Sequence, residues 1–145
     1  MIEIESMKEC HIEDIARIEL KTFSSPWSEG ALKTELSNQN SYFIVAKECE
    51  KVIGYVGLYN IVGEGYITNI AVLKEYRGRH VGSKLMDKVL KFAKSNNLEF
   101  ISLEVRVSNE VAIKFYEKYG FKKEGIRKNF YTLPKEDGFI MTRRF

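Results

Sequence analysis

NIAVLKEYRGRHVGSKLMDKVLKFAK, Asn69 to Lys94, places an apolar strand, an Arg/Gly loop and a long amphipathic helix end to end. A strand feeding a helix through a short turn is the repeating unit of an α/β sheet. The turn is also suited to anions. The first helical N–H groups lack intrahelical acceptors, and the helix dipole adds partial positive charge where they point. Gly78 and Gly82 permit close backbone approach, while Arg77 and Arg79 add two permanent cations. The plainer reading is a turn with solvated arginines. Neither G-x-G-x-x-G nor G-x-x-x-x-G-K-[ST] occurs, which excludes the dinucleotide fingerprint and the P-loop.

Outward from this unit, alternation at Ile2 and Ile4 predicts a short strand, and Ile12, Ile15, Ala16, Ile18 and Leu20 recur near helical spacing. Ser28 is placed to cap a second helix running to about Ser37. SYFIVAKE and KVIGYVGLYNI read as a hairpin turning at Glu48 to Lys51, and GEGYITNIAVL is the next strand. The helix from about Gly82 to Ser95 buries Val81, Leu85, Val89 and Phe92, with Lys84, Lys88, Lys91 and Lys94 solvated. LEFISLEVRV is a strand, Ser108 or Asn109 caps a helix to about Tyr119, and Gly120 ends it. GFKKEGIRKNFY and DGFIMTRRF form a closing hairpin across the turn LPKED. The order β, α, α, β, β, β, α, β, α, β, β predicts a mixed α/β sheet flanked by helices.

The chain has 145 residues, 44% of them hydrophobic and 30% charged, which suits a single domain over 1–145. A net charge of +3 with dispersed lysines does not point to nucleic acid. Cys10 and Cys49 lack metal or nucleophile spacing, so no metal is expected. No basic segment followed by an apolar run opens the chain, and no 18 consecutive residues are apolar, so a soluble cytoplasmic protein with no membrane partner is expected.

With that order established, the chain resembles the Gcn5-related N-acetyltransferase (GNAT) family, and within it the ribosomal-protein-alanine group known as RimI. The resemblance covers nearly the full length. The family's acyl-CoA signature [QR]-x-x-G-x-[GA] falls on Arg77, Gly78, Arg79, His80, Val81 and Gly82. His80 stands where glycine is usual, so its backbone either avoids positive φ or adopts the left-handed conformation. LEVRVSN at 103–109, AIKFYEKYGF at 112–121, EDGFIM at 136–141 and PWSE at 26–29 match the RimI group more specifically. The resemblance implies a GNAT fold: a mostly antiparallel sheet of about seven strands with about four helices. It also implies acetyl-CoA as cosubstrate, bound by the backbone of Ile70, Ala71 and Val72, the Arg77–Gly82 loop with Ser83, and Asn109, whose simpler role is helix capping.

Acetyl transfer to an amine requires the amine to lose a proton and the leaving thiolate to gain one. Alternation along β-forming residues 100–107 puts Phe100, Ser102, Glu104 and Arg106 on one face. By resemblance Glu104 is the proton acceptor; taken alone, it is an ordinary carboxylate on an exposed strand face. A glutamate near ~4.3 faces an α-ammonium near ~7.7–8.0, a gap of roughly 5 kcal/mol that burial of both groups narrows. A lysine ammonium near ~10.4 adds roughly 3 kcal/mol, which favours an N-terminal amine. By resemblance Tyr116 is the general acid, although its spacing from Ala112 and Tyr119 also suits core packing. The implied substrate is the N-terminal alanine of a small-subunit ribosomal protein, with PWSE and LPKED governing acceptor choice. Alternatives are acetylation of lysine or a small amine, or a sensor that binds acyl-CoA without turnover.

Overall fold

The computed structural model describes residues 1–145. Strands β1 (Ile2–Ser6), β2 (Ser41–Glu48), β3 (Lys51–Ile61), β4 (Glu64–Val72), β5 (Phe100–Arg106), β6 (Lys122–Thr132) and β7 (Lys135–Arg144) form one sheet in the order β1-β2-β3-β4-β5-β7-β6. Four helices join them: α1 (Ile12–Thr22), α2 (Glu29–Glu35), α3 (Val81–Ser95) and α4 (Glu110–Lys118). Every neighbouring pair is antiparallel except β4 and β5. The expected mixed, mostly antiparallel sheet is thus present.

The central strands are covered on both faces, so β2 reads as a continuous apolar run, Phe43 to Ala46, rather than as an alternation. Phe43 and Val45 pack with Ile12, Ile15 and Ile18 of α1 and Leu32 of α2. Ile44 and Ala46 pack with Val81, Leu85 and Val89 of α3 and Ile113 of α4. The four lysines of α3 are exposed, as expected. Phe92 departs from expectation: it is only half-buried, its ring stacked on Tyr42 at 3.9 Å between centroids.

Local signals decide the element ends. Ser28 Oγ accepts from Ala31 N at 3.1 Å, capping α2. Of the two candidates for α4, Asn109 is the cap, its side chain accepting from Ala112 N at 3.2 Å. Gly120, at φ +87°, ends α4. Phe121 N then donates to Tyr116 O at 3.1 Å and Gly120 N to Glu117 O at 3.0 Å, the paired bonds of a Schellman motif. The β2–β3 and β3–β4 turns each contain two residues of positive φ, Cys49–Glu50 and Val62–Gly63, the form whose twist matches a hairpin.

The last turn is tighter than LPKED suggested. Only Leu133 and Pro134 lie between the strands, and Lys135, Glu136 and Asp137 belong to β7. Opposite them β6 bulges: Arg127 pairs with Gly138 and Tyr131 with Glu136, so three β6 residues face Asp137 alone. Asn129 takes φ 54° in this bulge, and its N–H donates to Asp137 Oδ1 at 2.8 Å.

Candidate active site

The parallel strands β4 and β5 pair only over Glu64–Tyr66 and Phe100–Ser102. Beyond that point β4 follows β3 to Val72 while β5 follows β7 to Arg106, so the sheet forks. A bulge at Thr68 bends the departing arm, with Gly57 opposite Asn69 and Leu58 opposite Ile67. Gly57 is required there, because an added Cβ would lie 2.5 Å from the Phe43 ring and 2.6 Å from Thr68 Oγ1. Ile70, Ala71 and Val72 lie on the freed arm, whose edge towards β5 has no strand partner. An extended ligand with amide groups can pair with such an edge.

The arm leads through a 3₁₀ turn at Lys74–Tyr76 into the Arg/Gly loop. His80 is left-handed, φ 62° and ψ 22°, which settles the two readings of that position in favour of positive φ. Gly78 also has positive φ, 81°, and its missing side chain would meet nothing within 4 Å. Val81 is buried beneath the loop and Gly82 faces Phe115. The amides of Val81, Gly82 and Ser83 form the acceptor-free first turn of α3. The loop therefore fits a pyrophosphate. Its arginines are already engaged: Arg77 Nε donates to Val72 O at 3.3 Å, and Arg79 pairs with Glu48 at 2.7 Å above the Tyr76 ring. Asn109 spends one side-chain acceptor on the α4 cap.

Glu104 lies on β5 just past the fork, and its side chain is 7% exposed. Both carboxylate oxygens are held, Oε1 by the Tyr66 phenol and Oε2 by Arg127 Nε at 3.0 Å. It is thus an enclosed group, not a carboxylate on an open strand face. Burial, and then the bond to Glu104, push the Tyr66 phenol up.

Tyr116 is 8% exposed, its ring set among Phe115 and Phe121. Burial raises its phenol well above the ordinary value, so the proton it would give a thiolate is held more tightly than composition alone implied. Tyr131 is near enough to raise the Tyr116 phenol further, and burial followed by the Glu104 charge pushes its own phenol up to about 12.

Tyr131 also lines a cleft of about 430 Å³ between the loop after α1 and the β6–β7 hairpin. Phe23, Ser24 and Ser25 form one wall, Phe130 to Pro134 the other, with Asn69 and Arg106 between. PWSE does not line it: Trp27 packs against Phe43, and Thr22 to Ser25 supply that wall instead. Arg106 ties the hairpin down through Pro134 O at 2.9 Å, Leu133 O at 3.1 Å and Glu136 at 3.1 Å, with its guanidinium 4.3 Å from the Tyr131 ring. Glu136 also accepts from Ser108 N at 2.8 Å. Hydrogen bonding from the Ser108 side chain first, then from Arg106 and the Ser108 amide, holds its carboxyl below the ordinary range. The other wall hangs on Glu19, fully buried, which accepts from Trp27 N at 2.9 Å, Tyr55 Oη at 2.5 Å and Asn69 Nδ2 at 3.2 Å. Burial raises the Glu19 carboxyl.

Tyr66, Arg127, Tyr131 and Glu19 were not singled out from sequence. Glu19 falls on the apolar stripe of α1, a signal that a charge sits in the core. The others depend on the fork and the β6 bulge, which no local pattern announces.

The acetyltransferase (GNAT) family model matches residues 12–121. A Bacillus subtilis protein whose name proposes it as a ribosomal protein bS18-alanine N-acetyltransferase is 36% identical, over 95% of this chain and 92% of its own. The Haemophilus influenzae ribosomal protein bS18-alanine N-acetyltransferase is 33% identical, over 95% of each chain. The crystal structure of the Escherichia coli ribosomal-protein-S18-alanine N-acetyltransferase superposes with a TM-score of 0.91 at 27% identity, covering 99% of this chain and 94% of that one. The chain belongs to the acetyltransferase (GNAT) family.

Proposed function

We propose that this acetyltransferase acts on the N-terminal α-amine of a protein, specifically the N-terminal alanine of a small-subunit ribosomal protein. The observation that carries the reading is Glu104, a carboxylate 7% exposed at the fork of the sheet, on the same strand face as Arg106 in the adjoining cleft. The names and near-full coverage of the two bacterial relatives support the choice of acceptor.

Acetyl-CoA, when bound, supplies the thioester from which the acetyl group leaves. The unpaired edge at Ile70–Val72 would hold the extended arm of that cosubstrate, and the His80–Ser83 turn its pyrophosphate. Glu104 takes a proton from the acceptor's ammonium, directly or through one water, leaving a neutral amine with a free lone pair. Tyr116 returns a proton to the departing sulfur. Its raised phenol keeps it protonated, and therefore able to donate, throughout the working range.

The test offers the protein acetyl-CoA with three short peptides: one beginning in alanine, the same peptide with a blocked α-amine, and one carrying only an internal lysine as a free amine. Mass spectrometry should find acetylation of the first alone. Transfer confined to lysine contradicts the assignment.

A further inference from the structure

The acceptor's ammonium must approach Glu104 at a place the protein has already filled. Tyr66 holds Oε1 from β4, and Arg127 Nε stands 3.0 Å from Oε2. Arg127 is the solvent-side member of this pair, its side chain 56% exposed against 7% for Glu104. It projects from the edge strand β6 immediately before the bulge, where pairing with β7 is interrupted, and its guanidinium lies 5.8 Å from the Phe130 ring. Tyr66 is anchored in the sheet on β4, paired with Tyr59 of β3 and Ser102 of β5, and is half-buried. Of the two partners of Glu104, the arginine is the one free to leave.

We infer that Arg127 is a displaceable counter-ion that occupies the ammonium position at Glu104 until the acceptor takes it over, which rests on Glu104 being the group that receives the acceptor's proton. A carboxylate this enclosed is costly to leave unpaired. Exchanging one cation for another keeps it paired while Arg127 swings into water. The acceptor's N–H bond then breaks as an O–H bond forms on Glu104 Oε2, and the amine keeps the electron pair. The protonated carboxyl no longer attracts Arg127. Once product leaves and that proton passes to water, the guanidinium returns. Only an acceptor carrying a free, protonated amine can drive the exchange, so Arg127 also acts as a filter against blocked N-termini.

The Arg127 Nε–H signal, identified by NMR through its loss in Arg127→Gln, reports the exchange directly. Saturation with an alanine-initiated peptide should move it from the ion-paired position to that of a solvated arginine, and the N-blocked peptide should leave it in place. A signal that stays ion-paired while the amides of Asn69 and Tyr131 respond to the peptide overturns the proposal. Saturating alaninamide separates this proposal from the reading beneath it. Release by alaninamide but not by the peptide contradicts the protein acceptor and supports the exchange; no release by either contradicts the exchange.

Kinetics supply a second readout. If the arginine uncovers Glu104 about a tenth of the time, Arg127→Gln lowers the acceptor KM by roughly tenfold with kcat little changed, and Arg127→Lys stays near the parent value. A raised acceptor KM in Arg127→Gln would instead make Arg127 an acceptor-binding residue and overturn the exchange.

Discussion

Gly138 lies directly beneath Tyr131: a Cβ at position 138 would come within 3.1 Å of Tyr131 Cε2. The ring keeps its place in the cleft because β7 offers no side chain there, while Asp137 holds the Asn129 bulge and Glu136 holds Arg106. Three consecutive residues of the EDGFIM motif thus shape one wall. Gly138→Val is expected to destabilise the protein by about 1–3 kcal/mol through overpacking. It should also lower kcat/KM for the acceptor while leaving acetyl-CoA affinity, measured by calorimetry, unchanged. Equal losses in both would mean that the site as a whole had been disturbed.

Arg106 holds two carbonyls and a carboxylate at the tip of the same hairpin, a pattern a lysine ammonium cannot reproduce. Arg106→Lys should speed amide hydrogen exchange at Leu133 and Lys135. The acceptor KM should rise roughly tenfold, as expected for the loss of charge-assisted bonds. Unchanged exchange at the tip would show that β6–β7 pairing alone holds it.

Glu19 gives a signed prediction in pH. Its folded-state value is raised by burial, so between the unfolded value, near 4.5, and that raised value the native protein binds more protons than the unfolded chain. Stability from this group is therefore fully present below about 4.5 and lost as pH rises through the folded value. Urea midpoints of the parent protein and Glu19→Gln, compared from pH 4 to 8, should show the parent's relative stability falling with rising pH and then levelling. A relative stability that increases with pH reverses the assigned sign.

Val62 is a β-branched residue at φ 51°, and it is 96% exposed. No packing compensates the left-handed backbone, whose cost for such a residue is about 1–2 kcal/mol. Val62→Asn restores the Asn-Gly pair preferred in this hairpin turn and should raise Tm by roughly 3 °C. A lower Tm would mean that the valine contributes more than its exposure suggests.

Element order was legible because each element carries its own period and punctuation: the Ile stripe of α1, Ser28 and Asn109 at caps, Gly120 at a C-terminus. The Arg/Gly loop was legible as a glycine turn opening a helix for the same reason, although its arginines turned out to be tied to Val72 and Glu48. What stayed hidden was register. Three residues of β6 against one of β7 bring Arg127 and Tyr131 to Glu104, and β4 must leave β5 after Tyr66 for its phenol to lie there. Strand periodicity says which face a residue occupies. It does not say which distant strand stands opposite, and that decides the surroundings of Glu104.

The central claim is that Glu104 receives the acceptor's proton. It is tested most directly by kcat/KM of Glu104→Gln on an alanine-initiated peptide from pH 6 to 9, with acetyl-CoA affinity measured on the same protein. The amide retains the shape and cannot take the proton, so kcat/KM should fall by about 10²–10⁴-fold at unchanged cosubstrate affinity. Activity within a few-fold of the parent across that range would contradict it.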